Sequence, residues 1–392
     1  MSSPALDTVF PSTRHEDWKY TDLAPVIDIS NRWIEAGANS ADVSLPAGSP
    51  LETIDADWLV IANGRIDGES LARLALEGVE LSHLGDVGSR SMIQWPLLGF
   101  NDSLLEDGLR IRVSAKTKKP IGVLLIDSAD AQPIVSQARI DVDVEAGASA
   151  GFLEYHLSHG DADHYSNVVV NLNVADGARA DYVRVQDRAR NHCQTARLSV
   201  TLGRDAVLSH HGFDLGGKLV RNDLHIDIAA PGSEAAFDGL YIAGDDQHID
   251  NHTRVDHRVG PAVSRQEYRG ILKGKARCVW NGKAIVHEGA DGTDADQANH
   301  NLLLSDEAEI NAKPELEIYT DDVKCSHGTT VGQLDKTALF YLRSRGLDEL
   351  QATRILTHAF AAGIVARVAN ESLAGLLSSK VEQRLGDLAE SG

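Results

Sequence analysis

Ile140-Asp141-Val142-Asp143-Val144, Val170-Asn171-Leu172-Asn173-Val174, Leu198-Ser199-Val200-Thr201-Leu202 and Leu224-His225-Ile226-Asp227-Ile228 are one piece of structure written four times. Each is apolar at every second position, the pattern of a strand with one dry face and one wet face. Their starts lie 30, 28 and 26 residues apart, a period that predicts a solenoid in which each coil stacks on the last. Every copy is followed by a turn at the same place: Glu145-Ala146-Gly147, Ala175-Asp176-Gly177, Gly203-Arg204-Asp205 and residues 229–232. A second strand follows each turn. Two strands per coil fit a right-handed parallel β-helix, in which strands pair with the coils above and below. An antiparallel meander or sandwich shares these local signals and stays open at this point.

Outward from the repeats, the pattern divides the chain into three regions. Residues 1–108 read as a mixed, helix-containing α/β region. It has helical patches at 17–36 and 69–76, and an apolar run Trp58-Leu59-Val60-Ile61-Ala62 stopped by Asn63-Gly64. Residues 109–332 read as the parallel β-helix core, with a later echo of the turns in Leu272-Lys273-Gly274-Lys275-Ala276 and Leu304-Ser305-Asp306-Glu307-Ala308. Residues 333–392 switch to a helical period. One helix is predicted from Asp335 to Arg345, a second from about Asp348, and a third from Glu371 to Leu385 that stops at Gly386. On the second, Leu356, Phe360, Ile364 and Val368 make an apolar stripe, which either packs on its own domain or docks a partner.

The chain has 392 residues, 42% of them hydrophobic, enough for an ordinary buried core. Lys plus Arg number 37 against 58 Asp plus Glu, and a formal charge of −21 argues against nucleic acid or anionic lipid as a partner. No segment has the roughly 18 consecutive apolar residues of a membrane helix, and Met1-Ser2-Ser3-Pro4-Ala5-Leu6-Asp7 lacks the features of a signal peptide, so cytoplasmic residence is the expectation. The three cysteines, Cys193, Cys278 and Cys325, are too few and too dispersed for a disulfide framework or a self-contained zinc site. Neither a phosphate-binding Gly-x-x-x-x-Gly-Lys-Ser/Thr loop nor a Gly-x-Ser-x-Gly elbow occurs, which argues against ATP hydrolysis by this chain alone.

The densest polar constellation runs from Lys313 to Gly328. Leu316 and Ile318 alternate with Glu315, Glu317 and Tyr319, which places the apolar pair inside. Carried forward, that register points Cys325 and His327 outward, two positions apart on one side, where they could reach one metal ion or each other. A Cys-x-His pair alone is equally a buried thiol beside an ordinary surface histidine. An iron-sulfur cluster takes four ligands, and this segment holds too few, so completion would come from a second chain. His248, Asp250, His252, Asp256 and His257 read as outward rungs and turn residues, His156, His159 and His164 as surrounding a loop, and His210 and His211 as pointing to opposite faces. Cys278 reads as core. Cys193 reads as part of a polar stretch between strands, oxidisable if exposed.

The segments Lys313 to Tyr319, Asp321 to Asp335 and Leu339 to Gly346, with Asp256-His257, Tyr268-Arg269-Gly270-Ile271-Leu272, Trp280-Asn281-Gly282-Lys283 and Leu302 to Asp306 upstream, resemble the signature of the SufB/SufD family over roughly residues 245–360. The opening Thr13 to Leu23 resembles the SufD branch. The resemblance implies a right-handed parallel β-helix flanked by helical termini. It also implies a non-catalytic, cytoplasmic scaffold in complex with SufB and the ATPase SufC, on which a nascent iron-sulfur cluster forms at the SufB interface. It maps the family's cysteine and histidine onto Cys325 and His327. His327 is then a candidate ligand of transient iron or a cluster shared with SufB, and Cys325 a nearby thiol that is a second candidate. The C-terminal helices become the expected SufC docking surface. Reduced flavin in the assembled complex and a homodimer of the isolated chain stay open. Two alternatives remain: a secreted-type β-helix enzyme acting on acidic polysaccharide, and a purely structural partner of SufB without metal ligation.

Overall fold

In the computed structural model, which describes residues 10–38, 43, 45–46, 48–84 and 95–390, the four repeats are neighbouring rungs of one sheet. Ile140 pairs with Val170, Val170 with Leu198, and Leu198 with Leu224, all in parallel register. This excludes the meander and sandwich: each repeat strand bonds to the coil above and below, never to its sequence neighbour. The second strand of every coil forms a facing sheet. It runs from Asp57–Ala62 through Ile121–Ser128, Ser149–His159, Arg179–Asp187, Val207–Asp214, Glu234–Ala243, Val263–Leu272 and Thr293–Leu303 to Val323–Gly332. The protein is therefore a parallel β-solenoid of two facing sheets. Among the described residues, antiparallel pairing occurs only at the first end, where Arg65–Ile66 and Val79–His83 finish the two sheets.

The dry faces of both sheets meet in the lumen. Ile140, Val142, Val170, Leu172, Leu198, Val200, Leu224 and Ile226 from one side pack against Phe152, Leu208 and Phe237 from the other. Removing each large aliphatic side chain from water contributes roughly 1.5–3 kcal/mol. The corners are tight: Gly177 turns with φ +66°, and Asp205 takes the same left-handed conformation one coil later with φ +54°.

The wet faces are only partly wet, because helices cover them. The Ala24–Glu35 and Leu98–Leu104 helices bring Val26, Ile29 and Phe100 onto Val135, Tyr165, Val169 and Leu219 of the repeat sheet. The Glu349–Val365 and Glu371–Glu390 helices place Ile364, Leu377, Val381 and Leu388 on Leu240, Ile242, Ile271 and Leu302 of the facing sheet. The predicted stripe is spent there: Ile364 and Val368 are buried against the solenoid and Phe360 packs beside them. No helix among the described residues is long and apolar enough to cross a membrane. The opening residues 1–7 lie outside the described residues.

Three expectations need correction. The third C-terminal helix continues through Gly386 to Glu390, because Leu385 and Leu388 anchor its last turns on the sheet and outweigh one glycine's poor helix propensity. Cys193 lies within the His192–Leu202 strand, completely buried beneath the N-terminal helices, and burial pushes its thiol up to about 12. Its polar neighbours His192 and Gln194 misled the reading, since they face the lumen while Cys193 faces the helices. His159 and His164 do flank a corner, residues 160–163, as read, and His156 and His164 are fully buried strand residues. His257 is buried too and, like Asn251, lies on the lumen side of its strand.

Candidate functional site

The solenoid has a closed beginning and an open end. Glu309–Ile318 and Val323–Gly332 are the last rungs of the two sheets and pair on one side only, with Arg277–Val286 and Thr293–Leu303. Among the described residues, each of these ten-residue strands leaves the backbone donors and acceptors of every second residue unpaired on its outer edge, a template for another chain's strands.

Cys325 and His327 sit on this last rung, and their direction differs from the expectation. Parallel register pairs Cys325 with Ala295 and His327 with Gln297, both buried lumen residues. The columns beneath are Ser264, Ala235 and Leu208 for Cys325, and Gln266, Phe237 and His210 for His327. The two side chains therefore share one face, as read, but it is the lumen face at the uncapped end. Residues 319–322 form a corner that carries the chain to the opposite sheet, so parity counted from Glu315 and Glu317 does not survive it. Leu316 and Ile318 face the lumen as expected, in register with Ala284 and Val286, yet Ile318 is 43% exposed because no further coil covers it.

Burial pushes the Cys325 thiol above its ordinary value, and the Asp294 carboxylate adds to this while a hydrogen bond to the Ala295 backbone opposes it. Lys324 points to the other face, toward Asp294, and does not activate the thiol. The pair therefore offers one imidazole and one protonated thiol that would ionise on binding a metal. Among the described residues, no group of three or more His, Cys, Asp or Glu side chains is arranged to hold a metal ion. This chain by itself supplies an incomplete ligand set.

Other predicted residues fall elsewhere. His210 and His211 do point to opposite faces, His210 stacked on Tyr182 in the lumen and His211 beside Asp238. Cys278 is core. His248, Asp250, His252 and Asp256 face outward on one strand, and Asp256 is a hub that sequence reading passed over: His225 and His287 each meet it at 2.8 Å and Arg254 donates two hydrogen bonds to it. Although burial works against ionisation, these bonds hold the Asp256 carboxyl well below the usual carboxylate range. The signal was present, since His225 and His287 stand 31 residues before and after Asp256, one coil in each direction.

The C-terminal helices present a second exposed region. Phe340 is 74% and Tyr341 56% exposed on the Lys336–Ser344 helix, with Leu350 and Ile355 exposed on the next. The longer helices are bolted to the solenoid: the Arg269 guanidinium donates to the Phe360 carbonyl at 2.6 Å, Lys273 to the Leu388 carbonyl at 2.6 Å, and Arg367 to Asp238 and Glu267.

Comparison with known proteins agrees with this architecture. Residues 125–360 match the sequence profile described as SUF system FeS cluster assembly, SufBD core domain. The chain is 32% identical to the iron-sulfur cluster assembly protein SufD of Escherichia coli over 393 residues, covering 97% of this chain and 90% of that protein. It is 30% identical to an iron-sulfur cluster assembly SufBD family protein of Synechocystis, covering 95% of this chain and 87% of that one. A SufD of Bacillus subtilis is 34% identical over a shorter stretch, 38% of this chain and 36% of the relative. With an open-ended β-solenoid, a Cys-x-His pair on its last rung and a family match across more than half its length, the chain belongs to the SufBD family of iron-sulfur cluster assembly proteins.

Proposed function

We propose that this protein is a non-catalytic scaffold subunit that offers half of an assembly site for a nascent iron-sulfur cluster to a SufB-type partner. The observation that carries the reading is the position of Cys325 and His327 on the uncapped last rung, between two unpaired strand edges, with no third ligand within this chain among the described residues. A second solenoid adding its own end strands to these edges would bury both side chains and complete the coordination. The cluster is cargo here, formed and passed on. His327 is the stronger ligand candidate, because its imidazole is exposed, whereas Cys325 would have to give up a thiol proton that burial holds on it.

The C-terminal helices supply the docking surface for a SufC-type ATPase, through the exposed Phe340, Tyr341, Leu350 and Ile355 and not through the stripe already buried on the solenoid. Since the longer helices are hydrogen-bonded to strands of the facing sheet, ATP-driven movement of two such subunits would shift one stiff solenoid against the other and expose the shared site to iron and sulfide.

The test is anaerobic reconstitution of the complex with SufB and SufC, using wild type, Cys325→Ala and His327→Ala. Assembly is measured by co-purification and cluster yield by visible absorbance. Intact complexes with cluster yield reduced at least tenfold for His327→Ala are expected. Unchanged yield from an intact complex removes His327 from the site, and unchanged yield for both variants reduces the chain to a structural partner.

A further inference from the structure

The outer face of the repeat sheet carries a cleft of about 690 Å³ between the last coils and the N-terminal segment, within the size range of small-molecule sites. Its floor is made by two rows of outward residues. Register aligns Arg197, Asp223, His252, Asn281 and Lys313 in one row, and Ser199, His225, Arg254, Lys283 and Glu315 in the next. Phe10, Trp18 and Trp95 belong to the opposite wall.

Most cations of this cleft have carboxylate partners. Arg254 meets Asp256 at 2.5 Å, Lys283 meets Glu317 at 2.5 Å, and Lys313 reaches Glu16 and Glu315 at 3.2 Å. Arg221 holds Asp223 and Asp250 and stacks on Trp18. Arg197 differs. It is only 7% exposed, and its one hydrogen bond runs from Nε to the Ser199 hydroxyl at 3.0 Å. Asp223, its Cα partner across the strands, has both oxygens engaged by Arg221 and one also by the Trp95 indole. No carboxylate lies within 4 Å of Arg197 among the described residues, and its terminal nitrogens have no hydrogen-bond partner there.

Burial disfavours the Arg197 charge; the Asp223 carboxylate, already held by Arg221, offsets this only from a distance, and the nearby Arg254 adds repulsion. A planar fork of free N–H groups is shaped for a carboxylate or phosphate. We propose that the Arg197 cleft binds an oxyanion carried by a small organic molecule, with Arg197 gripping the anionic group, Lys283 and Arg254 at its flank, and the Phe10, Trp18 and Trp95 side receiving the apolar part. This site lies on the outside of the solenoid, away from the lumen-facing pair Cys325 and His327.

The experiment is isothermal titration of the full chain with inorganic phosphate, AMP and citrate at constant ionic strength. Wild type, Arg197→Met, Lys283→Ala and the control Arg265→Ala, whose guanidinium pairs with Asp294 on the other sheet, are compared. Saturable one-site binding of at least one probe is expected. AMP exceeding phosphate would assign a role to the aromatic side, and citrate alone would make the anion a carboxylate. Arg197→Met should weaken binding at least tenfold, Lys283→Ala about threefold and Arg265→Ala not at all. Without ligand, Arg197→Met should melt no lower than wild type, since the terminal nitrogens it loses make no hydrogen bond or ion pair within 4 Å among the described residues. Absence of saturable binding to wild type overturns the proposal whether or not the variants fold. So does equal affinity in Arg197→Met, or a ligand-free melting temperature that drops sharply in that variant.

Discussion

Acid should destabilise this fold well before its carboxylates titrate, and His257 allows the size of the effect to be worked out. Its ring is fully buried on the lumen side, bonded through Nε2 to the Ser264 hydroxyl at 2.9 Å. Burial pushes its pKa down to about 4, against the pull of Asp256 and with the help of His287. An unfolded histidine takes up its proton near 6.5, so between these values the unfolded chain binds more protons and stability falls as pH falls. The gap of about 2.5 units corresponds to about 3 kcal/mol in full, of which about 2 kcal/mol is lost between pH 7 and pH 4.5. His257→Gln removes this titration and retains an amide for Ser264. Urea unfolding followed by circular dichroism at the two pH values measures the difference. The variant should lose about 2 kcal/mol less than wild type on acidification. Equal losses would refute the assignment of a buried neutral ring. Other histidines held low by burial, among them His156, His164, His192 and His210, titrate in both proteins and cancel in the comparison.

Other outcomes follow from packing and exposure. Phe237 is 1% exposed in the lumen column beneath Gln266, so Phe237→Ala should cost about 3–5 kcal/mol in chemical denaturation, whereas an exposed Phe340→Ala should cost under about 0.5 kcal/mol. Of the three thiols, only Cys325 is not buried. Brief treatment of the native chain with a maleimide, read by mass spectrometry of peptides, should label Cys325 and leave Cys193 and Cys278 unmodified until denaturant is added. Labelling of Cys193 in the native chain would contradict its burial beneath the N-terminal helices.

The alternation in Ile140 to Val144 and its three echoes was enough to define the strands, their dry faces and their spacing, because side-chain direction in a strand has a period of two and depends on nothing distant, while the parallel pairing that excludes a meander came from the structure. The helix starts at Asp335 and Asp348 were legible for the same reason: each caps its own first turn through a side-chain bond to a backbone N–H two or three residues on. The Cys325 and His327 pair was legible as a pair, two residues apart on one strand. Its direction was not, since the corner at 319–322 passes the chain to the other sheet and parity does not cross a corner. Burial of Cys193 and the run of the last helix past Gly386 also depended on what lies against them, the N-terminal helices in one case and the facing sheet in the other. Periodicity along the chain thus determined which residues share a face. Only tertiary structure decided what covers each face, because coverage comes from segments far away in sequence, and that decided where the solenoid is left open for a partner.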